Sequence, residues 1–211
     1  MLSPQEIAQI LLDRQAVSLS PDQPYTWTSG LKAPIYCDNR LLIGYPQERN
    51  QIVESFIQLI QTHYPDADVI AGTATAGIPH AAIIAHQLNL PMIYVRASAK
   101  GHGKQNTIEG PLKPGQKVVM IEDLISTGGS VIAAADVVQA AGGKVLGCLA
   151  IFDYQLDSSK TAFTQAGYDY HTLSNYLALV DQATQNPDLA HAKATLTAWH
   201  QDPLAWTKVH S

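Results

Sequence analysis

The chain has 211 residues, 46% of them hydrophobic and 15% charged, the make-up of one ordinary folded domain with a substantial core. A formal net charge of −5 argues against a general nucleic-acid binder or a membrane-surface protein. The two cysteines, Cys37 and Cys148, make no metal-ligand spacing and are expected as reduced thiols. Met1-Leu2-Ser3-Pro4-Gln5-Glu6 has no basic region leading into an apolar stretch, and no segment approaches the ~20 apolar residues of a bilayer span. A soluble, cytoplasmic protein without membrane or nucleic-acid partners is expected.

Ser3-Pro4-Gln5-Glu6 is a capping-box pattern with proline at the first helical position, and Ile7, Ile10, Leu11 and Leu12 follow as the apolar face of a helix. Prolines at 21, 24, 34 and 46 exclude a long helix from residues 18–46, where Tyr25, Trp27, Ile35 and Tyr36 suggest short strands. Pro46 opens a second helix with Ile52, Val53, Phe56, Ile57 and Ile60 on its buried face. From there strands and helices alternate. Strands are predicted over 68–71, 92–95, 117–121, 145–152 and 168–173, with helices over 79–88, 130–141 and 158–166. A polar, glycine-containing stretch runs from Ser98 to Gly110, and the chain beyond 175 reads as helical. Such alternation predicts an α/β fold with a parallel sheet covered by helices on both faces. Residues 1–50 stand outside it as an N-terminal cap on a core of about 51–175, all in a single domain spanning 1–211.

The most informative stretch is Val118–Ser130, reading VVMIEDLISTGGS. Four apolar residues form a buried strand, two adjacent acids end it, and a loop of small residues leads into a helix. Ligands of open parallel sheets bind at the carboxyl ends of strands, which is where Glu122 and Asp123 fall. Ser126, Thr127, Gly128, Gly129 and Ser130 can offer hydroxyls and helix-terminal N–H groups to an anion. Acids beside a phosphate cradle need another partner in the same ligand, and ribose hydroxyls or a hydrated divalent cation would serve. A sugar 5-phosphate meets both demands. Walker A and GxGxxG patterns are both absent.

No acidic residue lies between Asp68 and Glu109, and that gap holds Arg96, Lys100, His102 and Lys104. Such a loop suits a pyrophosphate leaving group, whose charge grows as its bond to ribose breaks, or is a solvated basic surface. The loop Gly72–Gly77 either presents main-chain N–H groups to the same pyrophosphate or is a plain strand–helix connection.

The strand–acid–acid–loop pattern resembles the ribose-pyrophosphate-binding signature of type I phosphoribosyltransferases over all thirteen residues. In the cap, Thr28–Arg40, reading TSGLKAPIYCDNR, is similar to the N-terminal signature of orotate phosphoribosyltransferases. The resemblance implies the type I fold with an N-terminal hood. It implies transfer of phosphoribose from 5-phosphoribosyl 1-diphosphate (PRPP) to orotate, with Mg²⁺ as cofactor, in de novo pyrimidine synthesis. It maps donor binding onto Arg96, Lys100, His102 and the run Glu122, Asp123, Leu124, Ile125, Ser126, Thr127, Gly128, Gly129 and Ser130. Lys100 and Asp123 would be the catalytic pair, and Mg²⁺ would ride on PRPP and water near the two acids, without direct protein ligands. It also implies a homodimer whose loop 98–108 reaches the neighbouring subunit's site. Ser126 matches the loop hydroxyl that contacts orotate, and Lys32 with Tyr36 could supply a cation and a flat wall. The chain departs from many relatives at Thr28, Ala76, Ala97 and Tyr154, which puts the acceptor contacts in doubt more than the donor contacts. A purine phosphoribosyltransferase, or a donor-sensing RNA-binding regulator on the same fold, are the alternatives.

Overall fold

The computed structural model of the chain describes residues 1–97 and 107–210. Helix α1 spans Pro4–Asp13, and its start follows from the capping box: the Ser3 hydroxyl accepts from Glu6 N (3.2 Å) while the Glu6 carboxylate accepts from Ser3 N (2.7 Å). Four short strands follow: β1 (Val17–Leu19), β2 (Tyr25–Thr26), β3 (Lys32–Ala33) and β4 (Ile35–Cys37). They pair as two separate antiparallel ribbons, β1 with β4 and β2 with β3. Trp27, expected in a strand, lies instead in the turn between β2 and β3, closed by Trp27 N to Leu31 O at 2.9 Å.

After a 3-10 turn over Asn39–Gly44, α2 (Pro46–His63) leads into β5 (Val69–Thr73), α3 (Gly77–Leu88), β6 (Met92–Val95) and β7 (Ile108–Glu109). Then come β8 (Lys117–Ile125), α4 (Gly129–Ala140), β9 (Lys144–Asp153), α5 (Asp157–Ala166) and β10 (Tyr170–Asn175). The six-stranded sheet has the order β10-β9-β8-β5-β6-β7 and is parallel except for the edge strand β7. The expected parallel sheet is therefore present. Two details differ: β7 lies inside the stretch read as polar loop, and β8 continues four residues past Ile121, through both acids.

Alternation along β8 divides the core. Val119 and Ile121 face a cluster containing Ile52, Phe56 and Ile84 from α2 and α3, whereas Val118 and Met120 face Val131, Ala135 and Val138 of α4. Helices thus cover both faces. The chain ends in α6 (Tyr176–Ala183), a 3-10 turn, α7 (Lys193–Gln201) and α8 (Pro203–Val209), whose Leu179, Leu196, Trp199 and Trp206 join the cluster that includes Ile7, Leu11 and Ile35. No helix among the described residues is long and apolar enough to cross a membrane.

Candidate active site

Strand order reverses between β5 and β8: the chain leaves β5 toward β6, then returns to build β8, β9 and β10 on the other side. The carboxyl ends of β5 and β8 therefore flank a crevice, the place where an open parallel sheet accepts ligands. A cleft of about 360 Å³ lies there, lined by Ala74–Ala76 after β5, by Glu122, Asp123 and Leu124 on β8, and by Ser126–Ser130. Its walls are drawn together because a Cβ on Gly77 would stand 2.2 Å from Ile121 O, so only glycine lets α3 start against β8 at this level. Gly128, at a left-handed φ of +82°, caps α4 with no side-chain hydrogen bond, leaving the first-turn N–H groups of α4 open to an anion.

Electrostatics set the character of the cleft. Glu122 is 5% exposed, accepting from its neighbour Asp123 N (3.0 Å) and from Ser130 Oγ (3.4 Å). Burial, and then the charge of Asp123, push the Glu122 carboxyl up to about 9; burial raises Asp123 as well. Both shifts favour a proton held on this pair at neutral pH. From the cap, fully buried Asn39 donates Nδ2–H to Asp123 O at 2.8 Å, so the cap grips the acid strand by its backbone.

A second cleft of about 210 Å³ adjoins the first through Ala74 and Ser130 and is lined by Thr73 and Arg96. Among the described residues the buried Thr73 hydroxyl has no hydrogen-bond partner, and Arg96 Nη1, also buried, lies 3.5 Å from Glu109 Oε1 as an ion pair. A buried hydroxyl of this kind, beside a guanidinium, suits an anionic ligand that can accept from both.

A third, wider cleft of about 660 Å³ shares Leu124, Ser126 and Thr127 with the first. Its far walls are the turn Trp27–Ser29, Leu31, Tyr36 and Tyr154, with the Trp27 and Tyr154 rings 5.0 Å apart. It is broad and aromatic, and none of the described residues lining it is cationic.

Residues 47–182 match the phosphoribosyl transferase domain family. Over 198 residues the chain is 52% identical to the orotate phosphoribosyltransferase of Halalkalibacterium halodurans, covering 93% of this chain and 94% of that protein. The chain belongs to the orotate phosphoribosyltransferase family. It is likewise 50% identical over 200 residues to the enzyme of Bacillus subtilis, covering 94% of this chain and 93% of that one. Among solved structures, UMP synthase of Leishmania donovani superposes with a TM-score of 0.80 at 29% identity, over 95% of this chain and 42% of that one. This orotate phosphoribosyltransferase family member is accordingly a type I phosphoribosyltransferase in fold and in enzyme class.

Of the residues singled out in the sequence, Glu122, Asp123, Leu124, Ser126, Thr127, Gly128, Gly129 and Ser130 line one cleft, Arg96 lines the next and Tyr36 the third. Ile125 is 1% exposed and packs in the core against α4; its carbonyl accepts from Tyr154 N. Lys32 lines none of these clefts: it sits on β3, with its backbone bonded to residues of α7 and α8. Lys100 and His102 lie outside the described residues. Sequence reasoning places Thr73 only in the Gly72–Gly77 loop and Tyr154 only as a departure at an acceptor position, and it misses Trp27 as a lining residue; the aromatic pair forms only because the cap folds over the β9 end.

Proposed function

We propose that the three connected clefts hold PRPP and orotate side by side, and that the chain transfers the 5-phosphoribosyl group to orotate, giving orotidine 5-phosphate and diphosphate in de novo pyrimidine synthesis. The observation that carries this reading is the continuity of the clefts: the wide aromatic cleft opens onto the acid pair and phosphate loop through Leu124, Ser126 and Thr127. Ser126–Ser130 and the open α4 N-terminus hold the 5-phosphate. Glu122 and Asp123 accept from the ribose hydroxyls, and Arg96, with Lys100 and His102 of loop 98–108, takes the diphosphate. A planar ring suits the Trp27–Tyr36–Tyr154 walls, with the Ser126 hydroxyl available to it and Lys32 a distal cation behind the cleft wall.

In the transfer, a ring nitrogen of orotate attacks the anomeric carbon as the bond from that carbon to the diphosphate oxygen breaks, and the proton of that nitrogen is lost to the departing diphosphate or to water. The bonding electrons leave on diphosphate. The cationic side chains stabilise that growing charge, and no covalent bond to the protein forms. The acid pair, buried at Glu122 and half-buried at Asp123, suits a hydrated Mg²⁺ brought by the donor: Glu122 and Asp123 would hold its waters. When bound, that ion supplies positive charge to the donor's diphosphate and ribose oxygens. The reading includes a cytoplasmic homodimer that exchanges loop 98–108 between subunits; both cysteines are unpaired, as a reducing compartment requires.

Incubated with PRPP and Mg²⁺, the protein is expected to consume orotate and release diphosphate in equal amounts, and chelation of the metal is expected to stop both. Orotate left intact while PRPP remains available would overturn the acceptor assignment.

A further inference from the structure

Part of the acceptor cleft is held in place by the end of the chain. β2 and β3 are two residues each, and so short a ribbon has little stability of its own in water. Its turn nevertheless supplies Trp27, Thr28, Ser29 and Leu31 to the wide cleft. On the side of β3 away from β2, the remaining backbone bonds of Lys32 go to the C-terminal helices. Lys32 N donates to Thr207 Oγ1 on α8 (3.1 Å), and Lys32 O accepts from Trp199 Nε1 on α7 (3.0 Å). The Thr207 hydroxyl proton can turn to Pro203 O (2.8 Å) or to Lys32 O (3.3 Å).

Trp199 is fully buried, and its ring meets Trp27 at 5.7 Å and Tyr154 at 6.0 Å, both nearly edge-on. The next residue, His200, lies 2.9 Å through Nε2 from the Tyr154 carbonyl; a carbonyl only accepts, so Nε2 carries the proton. One short helix pair thus bonds both aromatic walls of the cleft, Trp27 through Lys32 and Tyr154 directly. Neither Trp199 nor Thr207 lines any of the three clefts, and no residue of α7 or α8 borders the donor side.

We infer that Trp199 and Thr207 are positioning residues for orotate: they fix the Trp27–Leu31 turn, and so set acceptor affinity without touching either substrate. This rests on the assignment of the wide cleft to orotate. The test is steady-state kinetics on the full chain with Thr207→Val, which keeps shape and removes the hydroxyl, and Trp199→Phe, which keeps an aromatic ring and removes the Nε1 donor. Each is expected to raise KM for orotate about threefold to tenfold, the effect of one lost hydrogen bond on a site, while KM for PRPP stays at the parent value. Thr207→Val, close in shape, is expected to stay folded with a modestly lowered melting temperature, so it decides the matter even if Trp199→Phe folds poorly. An unchanged orotate KM in folded Thr207→Val, or both KM values rising together, would overturn the positioning role. Orotate inert with the parent protein would overturn the cleft assignment and this inference with it, and that outcome is visible before any substitution is made.

Discussion

Asp123→Asn is expected to lower kcat/KM for PRPP by about a hundredfold, the scale of losing one preorganised charged contact in a buried site. The fold should survive, because the cap grips residue 123 by its carbonyl, which Asn39 reaches and the substitution leaves in place. Free of ligand, the variant should even be more stable than the parent, and the gain should grow with pH. The sign follows from the proton held by the pair. Glu122 titrates near 4.5 when unfolded and near 9 when folded, so between those values the folded protein binds a proton that the unfolded chain has released. Stability is full below pH 4.5 and declines as pH rises toward 9. The charge of Asp123 is one of the causes of that raised value, and removing it weakens the decline. Melting curves at pH 5 and pH 8, alongside initial rates, check both halves. A variant less stable than the parent at pH 8 would mean that the acids serve the fold and not a cationic ligand.

Mixing inactive subunits should restore activity. Subunits carrying Lys100→Ala and subunits carrying Asp123→Asn each have one lesion per site when alone. If loop 98–108 serves the neighbouring subunit in a two-fold dimer, a mixed dimer has one site with both lesions and one with neither. Random exchange makes half the dimers mixed, so roughly a quarter of the parent activity should return. If each loop served its own subunit, every site would keep one lesion and the mixture would stay as inactive as its parts. Exchange itself is followed independently, by a mass tag on one of the two variants.

How legible all this was depends on how far apart in the chain the cooperating residues stand. The donor motif could be read directly because strand, acids, loop and helix start are contiguous from Val118 to Ser130. Even there, the apolar pattern stopped at Ile121, whereas the strand runs on through Glu122, which the sheet buries despite its charge. Polarity was the misleading cue: an acid can sit inside a strand where a site is built for a ligand. β7 went unread because two residues in a polar stretch carry no periodicity. Ile125 belongs to the same contiguous motif yet faces the core, since successive strand residues point to opposite faces. The acceptor side was least legible. Trp27, Tyr154 and Trp199 come from the cap, from the end of β9 and from α7, and only the tertiary fold brings their rings together. Lys32 drew attention as the cation of its segment, but its backbone, tied to Trp199 and Thr207, is what joins it to the cleft.

The most direct test of the central claim is a panel of acceptor bases, each offered with PRPP and Mg²⁺ at equal concentration: orotate, uracil, adenine, guanine, hypoxanthine and xanthine. Diphosphate release is expected with orotate at a rate far above that with any other base, on the proposal that the wide cleft lined by Trp27, Tyr36 and Tyr154 beside Ser126 and Thr127 takes its flat ring. Faster release with a purine, with orotate inert, would contradict the account of the acceptor cleft while leaving the donor site as described.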